Sequence, residues 1–311
     1  MNLRIALGSA REALPLDEDM PVLVAALAAA GAQVSTPNWD DPGVDWSTYD
    51  AAVLRSTWDY VDRIGEFLDW CERCAAATLL LNPPPVIRWN TDKHYLAQLA
   101  RAGVPVVPTR FVEPGTFAER EFYAFLQGGT SACTVGEAGD IAQFVVKPAI
   151  GAGSRDAARY RREDVELALD HLQRLLGAGR SVLLQPYLAQ VDEHGETAAL
   201  YLGGEFSHSI RKGPLLRHGA GLVEGLFAPE DIRPRAAEPA ELAVAAAAYA
   251  AIPFEPPAYA RIDMIRDARG APVVLELELT EPSLFLAHAP GSAERFARHL
   301  VERVGAMRRA R

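Results

Sequence analysis

Lysine is almost missing from this chain. Of the 31 basic residues only Lys93, Lys147 and Lys212 are lysines; the other 28 are arginines. A sequence so biased toward the planar guanidinium retains Lys where a compact ammonium serves better, and all three lie in stretches that look chemical on other grounds. Cysteine is scarce too. Three cysteines cannot complete a disulfide framework, which points to free thiols and the cytoplasm. Cys71 and Cys74 have C-x-x-C spacing, but no second pair follows, so two buried thiols on one helix face are expected rather than a zinc site. The seven histidines never form H-E-x-x-H, which argues against a zinc hydrolase. There is no excess of positive charge: the net charge is -10 and the pI near 5.3. That argues against nucleic acid as a partner, while a local cationic pocket for small anions remains compatible with it. Long apolar runs are also lacking. The segment Met1 to Gly8 is too short for a signal peptide. The Ala-rich run Leu242 to Ile252 is too short to span a bilayer and reads as a buried helix. No internal repeat or long low-complexity tract occurs, and no membrane partner is expected.

At 311 residues, 49% apolar and 23% charged, the composition is that of a globular enzyme with two or three domains. Three units are expected, over residues 1–108, 109–188 and 189–311. In the first, strands at Leu3–Gly8, Ala32–Thr36, Tyr49–Leu54 and Leu79–Leu81 alternate with helices at Met20–Ala30 and up to Ala76. This pattern predicts a parallel sheet with covering helices, whose ligands sit beyond the carboxyl ends of the strands. Arg55-Ser56-Thr57-Trp58-Asp59-Tyr60 lies at such an end, making Arg55, Ser56, Thr57 and Asp59 candidate substrate contacts; a polar loop over a hydrophobic staple fits the stretch equally well. A short helix from Asp92 to Arg101 carries Lys93, and Gly103 to Thr109 is an extended connection at a domain boundary. The second unit has a loop around Gly128-Gly129, a strand at Phe144–Lys147, a helix at Glu163–Leu176 and a strand at Ser181–Gln185. The third holds strands at Ala198–Leu202 and Glu205–Arg211, a glycine-rich stretch Gly213 to Gly225 that suits a mobile loop, the Ala-rich helix, a hairpin and a final helix. Oligomeric state is left open, a homo-oligomer being compatible with the composition.

The hairpin is the centre of the reading. Arg261 to Ile265 and Val273 to Leu279 are apolar strands joined by Asp267-Ala268-Arg269-Gly270, which is turn chemistry. Glu276 and Glu278, two apart, point to one face, while Leu275, Leu277 and Leu279 take the opposite, packed face. Asp263 from the neighbouring strand joins the two carboxylates. Three crowded anions without a balancing lysine would repel; a divalent cation relieves this, and hard oxygen ligands favour magnesium or manganese. The alternative is an acidic solvated face. Upstream, Val146-Lys147-Pro148 ends a strand and Gly151-Ala152-Gly153-Ser154 follows, a loop whose amides can curl around phosphate oxygens. It matches neither G-x-x-x-x-G-K-[ST] nor G-x-G-x-x-G, and an ordinary turn explains it when taken alone.

Several motifs in order carry a resemblance: Asn90-Thr91-Asp92-Lys93, Gly103 to Thr109, Val146-Lys147-Pro148 with its loop, Gln185-Pro186-Tyr187-Leu188, Gly195-Glu196, Ser209-Ile210-Arg211-Lys212, Arg261-x-Asp263 and Glu276-x-Glu278. From about Asn82 onward the chain resembles the ATP-grasp carboxylate–amine ligases of the glutathione synthetase-like branch. The resemblance implies an α/β architecture, α+β in its ATP-binding part: the ATP-grasp fold, with an N-terminal parallel-sheet domain, a small central lid and a C-terminal mixed-sheet domain. It implies ATP held by Lys93 and Lys147, the loop Gly151, Gly153 and Ser154 over the phosphates, and Gln185, Tyr187 and Leu188 at adenine. Glu196, or Glu193 with a one-residue offset, would hold the ribose. Asp263, Glu276 and Glu278 would bind two magnesium ions; Glu278 departs from the usual Asn, which opens the site to manganese. Arg211, Lys212 and Arg261 would neutralise charge during transfer. Within the branch, Arg55 to Tyr60 and Glu276 to Ser283 look most like the cycloserine-forming cyclo-ligases that act on O-ureido-serine, with Ser283 a further substrate contact. The implied chemistry is phosphorylation of a small-molecule carboxylate to an acyl phosphate, displaced by nitrogen of the same molecule. An intermolecular amino-acid ligase and a non-catalytic nucleotide-binding protein are the alternatives.

Overall fold

Short apolar strands separated by amphipathic helices build the first sheet. In the computed structural model, which describes residues 3–128, 134–135, 141–216, 219 and 230–310, β1 (Arg4–Gly8), β2 (Gln33–Ser35), β3 (Ala51–Leu54) and β4 (Leu79–Leu81) pair in parallel in the order β2-β1-β3-β4. The crossovers are α1 (Asp19–Ala29) and α2 (Ile64–Ala77). Both faces of the central strands are buried, as a doubly covered parallel sheet requires: Ile5, Leu7 and Val53 belong to one core, Ala6, Ala52 and Leu54 to another. Cys71 and Cys74 are buried in α2, and Cys133 lies outside the described residues.

Two short helices follow, α3 (Pro84–Asn90) and α4 (Tyr95–Arg101). The helix expected from Asp92 begins later because the Asp92 side chain accepts the His94 amide (3.1 Å), a local bond that competes with helix formation. Lys93 therefore sits in the turn before α4, its own amide donating to the Ala149 carbonyl (3.0 Å).

The second sheet is antiparallel, β6-β5-β9-β7-β8, from β5 (Thr109–Val112), β6 (Thr134–Val135), β7 (Gln143–Pro148), β8 (Ala158–Arg161) and β9 (Val182–Pro186). The apolar stripes of α5 (Ala118–Leu126) and α6 (Val165–Gly177) close its outer face: Phe122, Phe125, Leu172 and Leu175 pack on Phe144, Val146, Val182 and Leu184.

After the single turn of α7 (Val191–His194), β10 (Glu196–Leu202), β11 (Glu205–Lys212) and β12 (Ile232–Pro234) precede α8 (Pro239–Ala250). Then come β13 (Tyr259–Arg266), β14 (Pro272–Glu278) and α9 (Ser292–Ala310). The third sheet is antiparallel in the order β12-β11-β10-β13-β14. The β13–β14 hairpin turns where expected, the Asp267 side chain accepting the Arg269 and Ala271 amides (2.8 Å each) with Gly270 at φ +81°. The Ala-rich helix is a correction: α8 is not buried all round but hides only a stripe of Glu241, Ala245 and Ala248. Alanine exposes so little apolar area that its other faces can stay wet at small cost. The first and third sheets share one core, in which Phe296, Leu300 and Val304 of α9 meet Leu23 and Leu27 of α1 beside Leu200 and Ile210. No described helix is long and apolar enough to cross a membrane. Most of the glycine-rich stretch Gly213 to Gly225, and Gly129 of the earlier loop, lie outside the described residues.

Candidate active site

β14 is the outer strand of its sheet, and an edge leaves backbone groups in need of partners. Side chains from the segment before the second sheet supply them. Asn90 donates to the Leu277 carbonyl (2.7 Å) and accepts the Leu279 amide (2.6 Å). The Tyr95 hydroxyl accepts the Leu277 amide (2.9 Å). Asn82 donates to the carbonyls of Leu279 (2.8 Å) and Tyr259 (3.1 Å). These bonds fix the register in which Asp263 stands opposite Glu276 and Arg261 opposite Glu278, placing all four on one face.

The register then slips by one residue after Asp263. Leu275 is the extra residue, and here expectation fails: it does not join Leu277 and Leu279 in the core but is half-buried and faces the cavity near Ile265, Tyr187 and Leu188. A bulge re-aims a side chain in this way.

The three carboxylates are not left unpaired, which corrects the expectation that no lysine balances them. The Lys212 ammonium binds Asp263 (2.6 Å) and Glu196 (2.9 Å). Arg261 binds Asp263 (3.0 Å) and also Glu278. Lys93 binds Glu276 (2.9 Å) and donates to the Gly151 carbonyl (2.6 Å). Burial raises every one of these carboxyl groups, and the balance differs by position. Arg261 and Lys212 outweigh burial at Asp263, and Lys93 and Lys147 outweigh it at Glu276, so both lie below the ordinary range. At Glu278 burial prevails over Arg261, helped by the charges of Glu276 and Asp263, and the pKa rises to about 7. Glu196 is also raised by burial despite Lys212. Burial brings Lys147 down to about 8.

At the other end of the cavity, Tyr187 and Leu188 meet Val107, Val145 and Ile265 in an apolar slot. Gln185 is buried there and donates to the Thr109 hydroxyl (2.8 Å). The Arg159 guanidinium lies 3.5 Å from the centre of the Tyr187 ring and reaches Asp192 (3.2 Å). The glycine loop crosses between, with Gly153 and Ser154 both at φ +61°, conformations in which a non-glycine residue is strained. Arg155 anchors the loop to Asp62, just ahead of α2 (3.0 Å).

One cavity of about 520 Å³ thus receives all three lysines. Arg261, Asp263, Glu276 and Glu278 line it, as do Gly151, Gly153 and Ser154 of the loop. Gln185, Tyr187, Leu188, Glu196 and Ser283 complete the expected residues found there. Glu196 stands in the carboxylate–lysine row beside Asp263. The remaining candidates are placed elsewhere. Arg211 alternates to the other face of β11 from Lys212 and donates to the His194 carbonyl (2.8 Å). Glu193 is exposed on α7. Arg55, Ser56 and Thr57 are completely buried behind the wall, Arg55 facing Asp19 at 3.5 Å. Asp59 is engaged by Trp39 (2.8 Å) and Arg63 (2.5 Å). What the sequence did not disclose is a further part of the wall: Asp17, Asp19, Trp58, Tyr60, Glu281 and His288. Asp19 accepts three successive amides, Leu284 (2.5 Å), Phe285 (3.0 Å) and Leu286 (2.7 Å), a partnership across more than 260 residues that no local pattern announces. The pairs Trp58 with Tyr60 and Glu281 with Ser283, each two apart and beside a recognised motif, were the available signal.

Comparison with known proteins bears directly on this geometry. The chain is 42% identical over 307 residues to the cycloserine biosynthesis protein DcsG of Streptomyces lavendulae, covering 96% of this chain and 98% of that protein. The chain belongs to the DcsG family. Residues 5–82 match the family described as the N-terminal domain of D-cycloserine synthetase DcsG. A crystal structure of D-cycloserine synthetase DcsG superposes with a TM-score of 0.88 at 42% identity, covering 97% of this chain and 99% of that one. Beyond DcsG, the ATP-grasp ligase PsnB superposes with a TM-score of 0.61 at 18% identity, covering 97% and 99% of the two chains. The D-alanine–D-alanine ligase of Bacillus anthracis gives 0.64 at 16%, covering 100% and 99%. The fold is therefore ATP-grasp, and this DcsG relative is an ADP-forming ligase of that class.

Proposed function

We propose that the chain closes O-ureido-serine to cycloserine at the expense of ATP, in the cytoplasm. One observation carries the reading: a single cavity collects every lysine of the chain with Arg261, Asp263, Glu276 and Glu278, in a protein 42% identical to DcsG. Residues 1–108 would bind substrate, 109–188 form the lid and 189–311 carry the acidic rim. The apolar slot at Tyr187 and Leu188 accepts adenine, while Lys93, Lys147 and the amides of Gly151 to Ser154 take the phosphates.

Among the described residues, no group of His, Cys, Asp and Glu is gathered closely enough to cage an ion alone. Magnesium does not require such a cage, since it is commonly held by one or two carboxylates with water and phosphate oxygens completing the shell. Glu278, buried near two other carboxylates and raised to about 7, has the chemistry of a group that a further cation would stabilise, so the donors fit. Glu276 and Glu278 would hold magnesium, two ions with Asp263 or manganese in its place, and the metal would supply charge neutralisation at the phosphates. Arg261 and Lys212, already gathered on this face, steady the charge that passes from the γ-phosphoryl group to the acyl phosphate. Arg211, held at α7, leaves that task to them. Nitrogen of the same molecule then displaces phosphate, and the carbamoyl group it carries is shed to water.

The test is release of ADP and phosphate with O-ureido-serine as sole acceptor, with cycloserine as product. Glu276→Gln should lower turnover at least about 100-fold with an unchanged circular dichroism spectrum. Phosphate release that requires an added amine would instead make this an intermolecular ligase, and ATP binding without turnover would make it a binding protein.

A further inference from the structure

Glu281 is a buried carboxyl group that the phosphate chemistry above leaves unused. It lies three residues beyond β14, is 7% exposed and lines the cavity. Its position is fixed from both sides. The Trp58 indole donates to its carbonyl (3.1 Å), and the Tyr259 hydroxyl donates to the preceding carbonyl of Thr280 (2.9 Å). Tyr60 lines the same cavity and acts to hold the Glu281 carboxyl down. The cations that approach it are engaged by others: Lys93 by Glu276, and Arg261 by Asp263 and Glu278.

The proposed ligation has a requirement that lysines, arginines and metal cannot meet. A neutral nitrogen that attacks an acyl phosphate still carries the proton of its N–H bond, and that proton must leave for a stable C–N bond to form. Cations repel it. The cavity needs a proton acceptor among its lining groups, and Glu281 is a buried carboxylate there, beside Tyr60 and with Lys93, the lysine that bears on it, already paired to Glu276.

Resting on the cyclo-ligase reading, we infer that Glu281 is the general base of the C–N bond-forming step. The nitrogen lone pair forms the bond to the carbonyl carbon, and the C–O bond to phosphate breaks with its electron pair leaving on phosphate. The N–H proton passes to a Glu281 carboxylate oxygen and returns to solvent when products depart. The groups facing Glu281 are Glu278 from β14, Tyr60, Lys93 before α4, Arg261 and Tyr259 from β13, and Cys71 of α2. Burial and Glu278 raise its pKa to about 8 against the smaller opposing effects of Tyr60, Lys93 and Arg261, which suits proton capture near neutral pH.

The experiment separates the two half-reactions in the full-length protein. Hydroxylamine, which captures an acyl phosphate without help from a base, reports carboxylate activation as hydroxamate; cycloserine reports ring closure. With Glu281→Gln, hydroxamate should stay within about threefold of wild type while cycloserine formation falls roughly 10²–10⁴-fold, the usual contribution of a general base. The wild-type turnover should rise as pH passes through about 8, and Glu281→Gln should lose that limb. Tyr60→Phe, which removes a hydroxyl that holds the carboxyl down, should shift the limb upward. Parallel loss of hydroxamate and cycloserine, or cycloserine formation within about tenfold of wild type, would overturn the assignment. No hydroxamate from wild-type protein and O-ureido-serine would overturn the cyclo-ligase reading itself.

Discussion

Replacing Asp19 by Asn tests how the cavity wall is held. The carboxylate serves three amides of residues 284–286 at 2.5–3.0 Å and faces Arg55, whose side chain is fully buried, at 3.5 Å. Bonds to a charged acceptor contribute about 1.5–3 kcal/mol each. Asn keeps one acceptor oxygen, so about one of the three amide bonds is lost. The larger effect falls on Arg55. None of its side-chain nitrogens has a hydrogen-bond partner among the described residues, and removing its counter-charge costs about 3–5 kcal/mol. The terms overlap because they share one carboxylate. We therefore expect Asp19→Asn to destabilise by about 4 kcal/mol, read as a lower urea midpoint at unchanged slope. Adding Arg55→Met should return part of the loss, since a buried pair removed whole costs less than one partner removed. A loss under about 1 kcal/mol, or a double variant less stable than Asp19→Asn alone, would refute the reasoning.

Lys147→Ala should weaken ATP binding about tenfold, measured by calorimetry, through loss of a phosphate contact. Because burial lowers the Lys147 pKa to about 8, wild-type affinity should fall as pH rises through that value, and the variant should lack this dependence. His94 is raised from 6.5 to about 8, chiefly by its hydrogen bond to Asp92 and also by Glu113. The stability it contributes is complete below about 6.5 and lost as pH rises through about 8. Denaturation midpoints should therefore decline more steeply across that window in wild type than in His94→Gln, which keeps the decline due to the raised carboxyl groups of Glu278 and Glu281.

The sequence made the local features plain. Period-two spacing placed Glu276 with Glu278 and Arg261 with Asp263, and the Asp267–Gly270 turn chemistry set the hairpin. Apolar strands alternating with helices announced the parallel sheet. What stayed hidden depends on distant partners. The bulge that turns Leu275 into the cavity follows from the cross-strand register, which Asn90 and Tyr95 help to fix some 180 residues away. Arg211 and Lys212 look interchangeable in sequence, yet alternation on β11 sends only Lys212 inward. Arg55 looked like a substrate contact because a cation at a strand end is usually solvated; here the Asp19-bound segment 284–286 covers it. Tyr60 and Glu281 are each unremarkable until the fold sets one against the other.

The core shared by α1 and α9 bears on how the chain is made. Leu23 and Leu27 emerge early in synthesis, but Phe296, Leu300 and Val304, which cover them, are translated nearly 280 positions later. At about 5–20 residues per second, the first sheet waits roughly 14–56 s with one face wet. For that interval the nascent protein presents a greasy surface to the cell, a natural foothold for chaperones.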